Sequence, residues 1–293
     1  MRTVLVTGAT GTQGGAVVDH LLASDRPWAV RGLTRDATSE AARALDERGV
    51  TVVEGDMTDA ERMETLLADV DAVYCVTAYA NGGREGDIAQ GVTVAEAAAA
   101  ADVDQFVYSS VGNAGDAVGV NIFEAKHAVE QRIAELGLPA TVVRPTFFLQ
   151  NFAGPGMRED ILDGQLALPL ADGVSLAAVD TDDIGQAGAA ALADPDRFVG
   201  ETVTLAGDEL TLAEFAAAFS DYLGRDVEPV SVDMAAFREA MGDDYADMYE
   251  WFNEGGYDVD IEGLAERHGI QPTSFREYLE RSDAWRPASA PAE

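Results

Sequence analysis

Lys126 is the first residue whose type and position suggest chemistry. Lys and Arg together number 19, and Lys126 is the only lysine, so the other 18 are arginines. Its segment, NIFEAKHAVEQRIAELG, carries apolar residues every three or four positions, which predicts an amphipathic helix with Lys126 at the edge of the buried stripe. Arginine could replace lysine in a surface pair with Glu130, the alternative reading, but a compact ammonium that binds hydroxyls is less replaceable. The retained lysine therefore predicts a functional group.

A glycine-rich turn, TGATGTQGG, directly follows the first apolar stretch and opens a predicted helix. Gly8 would allow a tight turn, Gly11 a close approach of the backbone to a pyrophosphate, and Gly14 close packing of the helix on the strand. The free N–H groups at the helix N-terminus would bind the pyrophosphate. An ordinary tight turn is the alternative. The turn residues predicted to bind cofactor are Gly8, Thr10, Gly11, Thr12, Gln13 and Gly14.

The end of the second predicted strand, GLTRD, is the position that normally distinguishes proteins that bind NAD(H) from proteins that bind NADP(H). Thr34 stands where NAD-binding proteins usually carry an acid for the ribose hydroxyls, and Arg35 follows it. An arginine can form a forked pair with a 2′-phosphate, so the sequence predicts NADP(H) in preference to NAD(H). Two alternatives stay open: Asp36 could bind a ribose, and Arg35 could be a surface residue paired with a neighbouring acid.

Other predicted cofactor contacts follow later strands, because ligands of such folds bind outside the carboxyl ends of the strands. Asp56 and Met57 follow the third strand and would border the adenine. Thr77 follows the fourth and would line the nicotinamide half. Pro145 and Phe147, in the RPTFF segment, would flank the nicotinamide.

Strand and helix signals alternate regularly through the first half of the chain. Near-continuous apolar strands in such an alternation predict a parallel sheet covered by helices on both faces, the doubly wound Rossmann arrangement of the α/β class. The second half mixes turns, short strands and aromatic-rich helices, which predicts a smaller α+β domain. The predicted division is an NAD(P)-binding domain over 1–150, a closing substrate domain over 151–284 and a disordered tail over 285–293.

The charge of the chain is extreme, with 53 acidic and 19 basic residues and a formal net charge of −34. This excess argues against direct binding to nucleic acid or to an anionic membrane. The acids are scattered rather than gathered in a tail, which is typical of a solvated surface over a normal core. Together with the near-absence of lysine, this predicts a halophilic protein, because molar salt shortens the Debye length to about 3 Å. An acidic mesophilic protein is the alternative.

The sequence also predicts a cytoplasmic location. No apolar run reaches the roughly 18 residues of a transmembrane helix, and MRTVLVTGATG lacks the apolar core of a signal peptide. Cys75 is the only cysteine, which excludes an intrachain disulfide and a zinc finger. No metal site is predicted.

Several motifs together resemble the NmrA-like group of atypical short-chain dehydrogenases. They run in the family's order between residues 3 and 185, and GATGxQGG resembles the branch proposed to sense the NADPH/NADP ratio. The resemblance implies a Rossmann domain that binds NAD(P) and a smaller domain that closes over it. The matching segments are TGATGTQGGAVV, VRGLTRD, VVEGDMTD, FVYSSVGNAG, FEAKHAVE, RPTFFLQNF and VDTDDIG.

The resemblance also implies roles for individual residues. The wider superfamily places Tyr-x-x-x-Lys on this helix, with the tyrosine as proton donor and the lysine on the nicotinamide ribose. Lys126 matches the lysine, but Ile122 stands in place of the tyrosine. Ser110 matches the serine that polarises the substrate carbonyl. Tyr79 could supply a proton from outside the usual position, and His127 is predicted to be partly exposed rather than catalytic.

Two functions follow from this pattern. The first is an NADPH-dependent reductase of quinone-like or other small conjugated acceptors. The second is a non-catalytic regulator that responds to the NADPH/NADP ratio and acts through a protein partner. The absence of the tyrosine favours the second, whereas Lys126 and Ser110 favour the first.

Overall fold

Short strands rich in β-branched residues alternate with helices in the first 145 residues of the computed structural model, which describes residues 1–286. The observed order agrees with the one that the apolar periodicity predicted. The strands are β1 (Arg2–Val6), β2 (Trp28–Thr34), β3 (Thr51–Glu54), β4 (Ala72–Val76), β5 (Gln105–Ser109) and β6 (Ala140–Pro145). The helices are α1 (Thr12–Ala23), α2 (Glu40–Glu47), α3 (Ala60–Leu67), α4 (Gly83–Ala100) and α5 (Asn121–Leu136).

These six strands form one parallel sheet in the order β3-β2-β1-β4-β5-β6, and β10 (Thr202–Leu205) joins it beside β6. The strand order reverses between β1 and β4, which is the switch point where doubly wound sheets bind ligands. The predicted Rossmann-like α/β fold is therefore confirmed. All residues of β4 and β5 are buried, as expected of central strands with helices on both faces.

The helix α7 (Thr181–Ala193) packs on α1 through two glycines. A Cβ at Gly185 would lie 2.7 Å from backbone atoms of Ala16, and one at Gly188 would lie 2.8 Å from the ring of Tyr74. Only residues without a side chain allow this approach. The short helix α8 (Pro195–Phe198) then leads to β10.

This packing explains how the chain divides into two units. The first contains Met1–Pro145 and Thr181–Thr204, and the second contains Thr146–Asp180 and the described residues from Leu205 onward. The sequence predicted a single boundary at residue 150. The structure instead changes unit at Pro145 and returns to the first unit for α7, α8 and most of β10, because α7 covers α1.

The second unit contains two small sheets, β11-β9-β7 and β12-β8, and mostly helical C-terminal segments. The strands β11 and β12 carry no clear sequence signal and were not predicted. Its strands are β7 (Phe147–Phe148), β8 (Gln165–Leu168), β9 (Ser175–Val179), β11 (Asp208–Thr211) and β12 (Glu228–Ser231). Its helices are a 3-10 helix (Leu149–Ala153), α6 (Met157–Leu162), α9 (Leu212–Leu223), α10 (Met234–Met241), α11 (Asp243–Glu254), α12 (Ile261–His268) and α13 (Phe275–Arg281).

An aromatic cluster forms the core of the second unit. The ring of Phe152 lies 5.1 Å from that of Phe215 and 5.6 Å from those of Phe219 and Phe275. Trp285 is 1% exposed and its ring lies 4.8 Å from Phe219. The tail predicted to be disordered, 285–293, therefore starts at a buried residue, and its positions 287–293 lie outside the described residues. Within residues 1–286, no helix is both long and apolar enough to span a membrane.

Candidate functional site

The glycine turn between β1 and α1 favours glycine at two positions, one because of its backbone conformation and one because of close packing. Gly8 has φ of +58°, in the left-handed region that favours glycine. A Cβ at Gly14 would lie 2.3 Å from the carbonyl oxygen of Gly8, so any side chain there would displace the turn. The N–H of Gly11 donates to the same oxygen at 2.8 Å, which closes the turn.

The N-terminus of α1 is left open to an anion. Its N-cap residue, Gly11, has no side chain that could accept from the free N–H groups, and the first turn carries no acidic residue. By contrast α2, α3 and α5 each carry a glutamate in the first turn, as is common in a chain with 53 acidic residues. Free N–H groups and the helix dipole attract phosphate. Thr10, Gly11 and Thr12 are exposed, so a ligand can reach these donors.

Two neighbouring serines at the end of β5 behave differently. The Ser109 hydroxyl donates to Oε1 of Gln13 at 2.7 Å and so ties the strand to the glycine turn. The Ser110 hydroxyl is buried and has no hydrogen-bond partner within residues 1–286. A buried hydroxyl without a partner is costly. Ser110 therefore has a donor and acceptor available for a ligand, as its predicted role requires.

Asp36 at the end of β2 is held by its own loop. Its Oδ1 accepts from the N–H of Thr38 at 2.8 Å and from the Thr38 hydroxyl at 2.6 Å. These hydrogen bonds, the side-chain one above all, lower the pKa of Asp36. Arg35 beside it is exposed. Both hydrogen bonds use Oδ1 of an exposed carboxylate, so the alternative in which Asp36 binds a ribose stays open.

Asp56 after β3 repeats the same arrangement. Its Oδ1 accepts from the N–H of Thr58 at 2.8 Å and from the Thr58 hydroxyl at 2.7 Å. The backbone bond, then the hydroxyl bond and, more weakly, the positive charge of Arg35 lower the pKa of Asp56. Met57 packs against the core of the first unit. The adenine contacts of Asp56 and Met57 stay predictions.

Lys126 points inward, and its ammonium meets two groups near the carboxyl end of β4. Nζ lies 3.2 Å and 3.1 Å from the two carboxylate oxygens of Asp87, and it donates to the hydroxyl of Thr77. The carbonyl oxygen of Thr77 is 3.5 Å away. Lys126 is 8% exposed and Asp87 is fully buried. The structure therefore joins two predicted site residues, Lys126 and Thr77, through a carboxylate that the sequence analysis did not identify.

The buried face of α5 is rotated slightly from the predicted one. Phe123, Ala125, Lys126, Val129 and Ile133 are its buried residues, whereas Ile122, predicted to belong to the apolar stripe, is half-buried. Lys126 thus lies within the buried face rather than at its edge.

The surface-pair alternative for Lys126 is not what the structure shows. Glu130 instead accepts from Arg144, with the Arg144 Nε 2.9 Å from Oε1, and it also faces the His127 ring at 3.5 Å.

The loop from Ala78 to Gly82, which carries Tyr79, and the first turn of α4 are fixed by the buried side chain of Gln90. Its amide oxygen accepts from the N–H of Ala78 at 3.2 Å, and its nitrogen donates to the carbonyls of Ala78, Asn81 and Gly86 at 3.1 to 3.3 Å. Tyr79 is half-buried in this loop. Its role as proton donor stays a prediction.

His127 lies on another face of α5 and lines a surface pocket of about 260 Å³ in the first unit. It is partly exposed, as predicted. Glu124 in the same pocket pairs with Arg84 at 3.5 Å. The remaining lining residues are Ala114, Gly115, Ala117, Val118, Ala128 and Gln131.

Pro145 and Phe147, predicted to flank the nicotinamide, fall in different units. Pro145 ends β6 in the first unit and is buried. Phe147 belongs to β7 in the second unit, is 7% exposed and packs 5.5 Å from the ring of Phe152. Their contacts with nicotinamide stay predictions.

Two buried groups near Lys126 are neutral. Burial raises the pKa of the Cys75 thiol to about 12, and it raises the pKa of Tyr108 well above the usual range. Both residues are fully buried, so neither ionises at neutral pH. Of these four neighbouring groups, only Lys126 and Asp87 therefore carry charge.

We expect the Cys75 thiol to be unreactive in the folded protein at pH 8. The thiolate is the reactive form, and a thiol whose pKa is about 12 is almost fully protonated at that pH. Titration with Ellman's reagent should give no colour until denaturant is added, and then one thiol per chain. Rapid labelling of the native protein would contradict the burial of Cys75.

Comparisons with known proteins agree on one family. The sequence profile described as the NmrA-like family matches residues 1–279. An NAD(P)H azoreductase of Xenophilus azovorans is 32% identical over 241 residues, which cover 81% of this chain and 80% of that protein.

Solved structures with similar folds include both an enzyme and a regulator. The triphenylmethane reductase of Citrobacter sp., solved with NADP(H), has a TM-score of 0.83 at 22% identity and covers 96% of this chain and 99% of that chain. NmrA, a negative transcriptional regulator solved with NADP, has a TM-score of 0.75 at 23% identity and covers 94% of both chains. At these identities the likeness establishes the fold.

Proposed function

This chain belongs to the NmrA-like family, and on that basis we propose that it binds NADP(H) and reduces a small conjugated acceptor such as a quinone. The observation that carries the proposal is the buried ammonium of Lys126, held beside Thr77 at the carboxyl end of β4. The single lysine of the chain stands where a cofactor ribose would lie. The proposal is supported by one relative named as an NAD(P)H azoreductase and by a protein of similar fold named as a triphenylmethane reductase, since azo and triphenylmethane groups are conjugated.

The residues present fit the group that the proposal requires. The open N-terminus of α1 offers N–H donors to a pyrophosphate, and Gly14 lets this helix pack directly on the backbone of the turn that carries them. Arg35 is exposed at the end of β2, where a 2′-phosphate would need a cation, and Asp36 is engaged by Thr38. The buried Ser110 hydroxyl is free to bond a ligand.

When bound, the dihydronicotinamide supplies the hydride, and the protein supplies position and polarity. Lys126 would hold the nicotinamide ribose through its ammonium, and the Ser110 hydroxyl would donate to an oxygen of the acceptor. Ile122 occupies the position of the usual tyrosine and has no proton to give. The proton that follows the hydride would come from water, Lys126 or Tyr79.

Replacing Arg35 with alanine tests the cofactor preference. We expect the Kd for NADPH to rise about tenfold, since a charged hydrogen bond to phosphate contributes roughly 1.5–3 kcal/mol, and the Kd for NADH to stay nearly constant. Fluorescence titrations in molar KCl would measure both. Arg48→Ala, which removes an exposed arginine paired with Asp19, is the matched control. An unchanged Kd for NADPH in Arg35→Ala, or a wild-type preference for NADH, would rule out this assignment.

Turnover is tested separately from binding. Purified protein in molar KCl is mixed with NADPH and a panel of quinones, azo dyes and triphenylmethane dyes, and absorbance at 340 nm is followed. Reduction of at least one acceptor, with one NADPH oxidised for every two electrons that the acceptor takes up, would support the reductase. Tight binding of NADPH with no turnover on any acceptor would favour the second candidate.

That second candidate is a regulator that binds dinucleotide without turnover. The specific observation in its favour is Ile122, which leaves the helix without the usual proton donor. A transcriptional regulator shares the fold and was solved with NADP. A regulator would require a protein partner, whose binding would depend on whether NADPH or NADP⁺ is present.

A further inference from the structure

Asp87 is a fully buried carboxylate that binding of NADP(H) does not by itself require. Within residues 1–286 its ionic partner is Lys126, whose Nζ lies 3.1 Å from Oδ2 and 3.2 Å from Oδ1. Only the Oδ1 contact has hydrogen-bond geometry, and Oδ2 has no hydrogen-bond partner. An asparagine could accept the same single hydrogen bond. Asp87 therefore differs from a neutral side chain mainly in its negative charge, which is costly to bury.

The charges of Lys126 and Asp87 cancel each other, and the titratable groups around them add no net charge. From β4, Cys75 faces the pair, and from β5, Tyr108 does; burial keeps both neutral by raising their pKa values. On α5 itself, Glu130 is neutralised by Arg144. Asp87 is thus the group that cancels the positive charge of Lys126, since the other neighbouring groups supply no net negative charge.

This balance matters because the two redox forms of the cofactor differ in charge at the ring beside the ribose. The nicotinamide ring carries a positive charge in NADP⁺ and none in NADPH. An unbalanced ammonium a few ångströms away would repel the oxidised form, and such an interaction in a partly screened interior changes an equilibrium about tenfold or more. We propose that Asp87 sets the relative affinities for NADP⁺ and NADPH by cancelling the charge of Lys126. The inference rests on the proposed function, in which Lys126 binds the nicotinamide ribose.

The consequence for the wild-type protein is similar affinity for both forms. The fraction of sites that hold NADPH and the fraction that hold NADP⁺ would then follow the concentrations of the two forms, since the protein would not prefer either one. Asp87 is a positioning residue in this scheme, since it acts through Lys126 and makes no contact with the cofactor.

The experiment measures Kd for NADPH and for NADP⁺ by calorimetry in molar KCl at pH 7. Wild type is expected to bind both within about threefold, a smaller difference than one uncancelled charge would produce. In Asp87→Asn the ratio Kd(NADP⁺)/Kd(NADPH) is expected to rise about tenfold. Asp87→Glu keeps the charge and should keep the wild-type ratio. The double variant Asp87→Asn/Lys126→Gln removes both charges, and its ratio should return to wild type while both affinities fall.

A second variant guards against misfolding of Asp87→Asn. In Lys126→Gln at pH 9 the carboxylate is left uncancelled, so the ratio is expected to move in the opposite direction and favour NADP⁺. Equal changes in both Kd values in Asp87→Asn, or ratios that do not move in opposite directions, would overturn the inference. If wild type binds neither nucleotide, the proposed function itself fails, which is a different outcome from an unchanged ratio.

Discussion

Replacing Lys126 with methionine is expected to raise the Kd for NADPH about 100-fold. Two charged hydrogen bonds to the ribose would be lost, each contributing roughly 1.5–3 kcal/mol. The same change leaves the carboxylate of Asp87 buried without its partner, so the free energy of unfolding should fall by about 3–5 kcal/mol. Calorimetric titration in molar KCl and urea unfolding would measure the two effects.

Two further variants separate these effects. Arg132→Met removes an exposed cation from the same helix, where it pairs with Glu96 and Glu135, and should leave the Kd for NADPH unchanged. Lys126→Arg keeps the charge and should retain most of the stability, but the planar guanidinium should still bind the ribose less well. If Lys126→Met binds NADPH as wild type does, Lys126 is a structural cation only.

Replacing Gly14 with alanine is expected to abolish dinucleotide binding and to destabilise the fold by about 3 kcal/mol. The new Cβ would lie 2.3 Å from the Gly8 carbonyl oxygen and 2.6 Å from that of Thr7, and both are backbone atoms that cannot move aside separately. The turn would have to open, and the donors at the start of α1 would move with it.

The adjacent glycine provides a close control. A Cβ at Gly15 would meet only the carbonyl oxygen of Ala9, at an ordinary 3.6 Å. Gly15→Ala should therefore fold normally and gain up to about 1 kcal/mol from helix propensity. Urea unfolding and NADPH titration of both variants make the comparison. Similar stability and affinity in Gly14→Ala and Gly15→Ala would contradict the close approach seen in the turn.

The elements of the first 145 residues could be predicted because each strand carries a short, mostly β-branched apolar stretch next to glycine or polar residues. Periodicity of this kind is a local property of the sequence. The glycine turn could also be predicted, since its glycine spacing stands between a predicted strand and a predicted helix. By contrast, β11 and β12 are four residues each and have no such pattern.

The role of Asp87 in the site was not predicted from the sequence, for two reasons. The alanine-rich stretch that indicates the fourth helix, DIAQGVTVAEAAAAAD, begins at Asp87, and a carboxylate at the start of a helix is a common cap. The helix instead begins at Gly83, after Gly82 with φ of +105°, and Asp87 lies one turn inside it. The glycine pair was the available signal for the earlier start. That Asp87 meets Lys126, 39 residues away, is a tertiary contact that no local pattern encodes.

The return of α7 and β10 to the first unit has a consequence for the order in which the protein is made. A ribosome that has released residues up to 145 has supplied six strands but neither the helix that covers α1 nor the strand that lies beside β6. The first unit is completed only when residue 204 emerges, after β7, β8 and β9. A chain ended at residue 150 would therefore expose the apolar side of α1 and an unpaired strand edge, and we expect it to aggregate rather than fold.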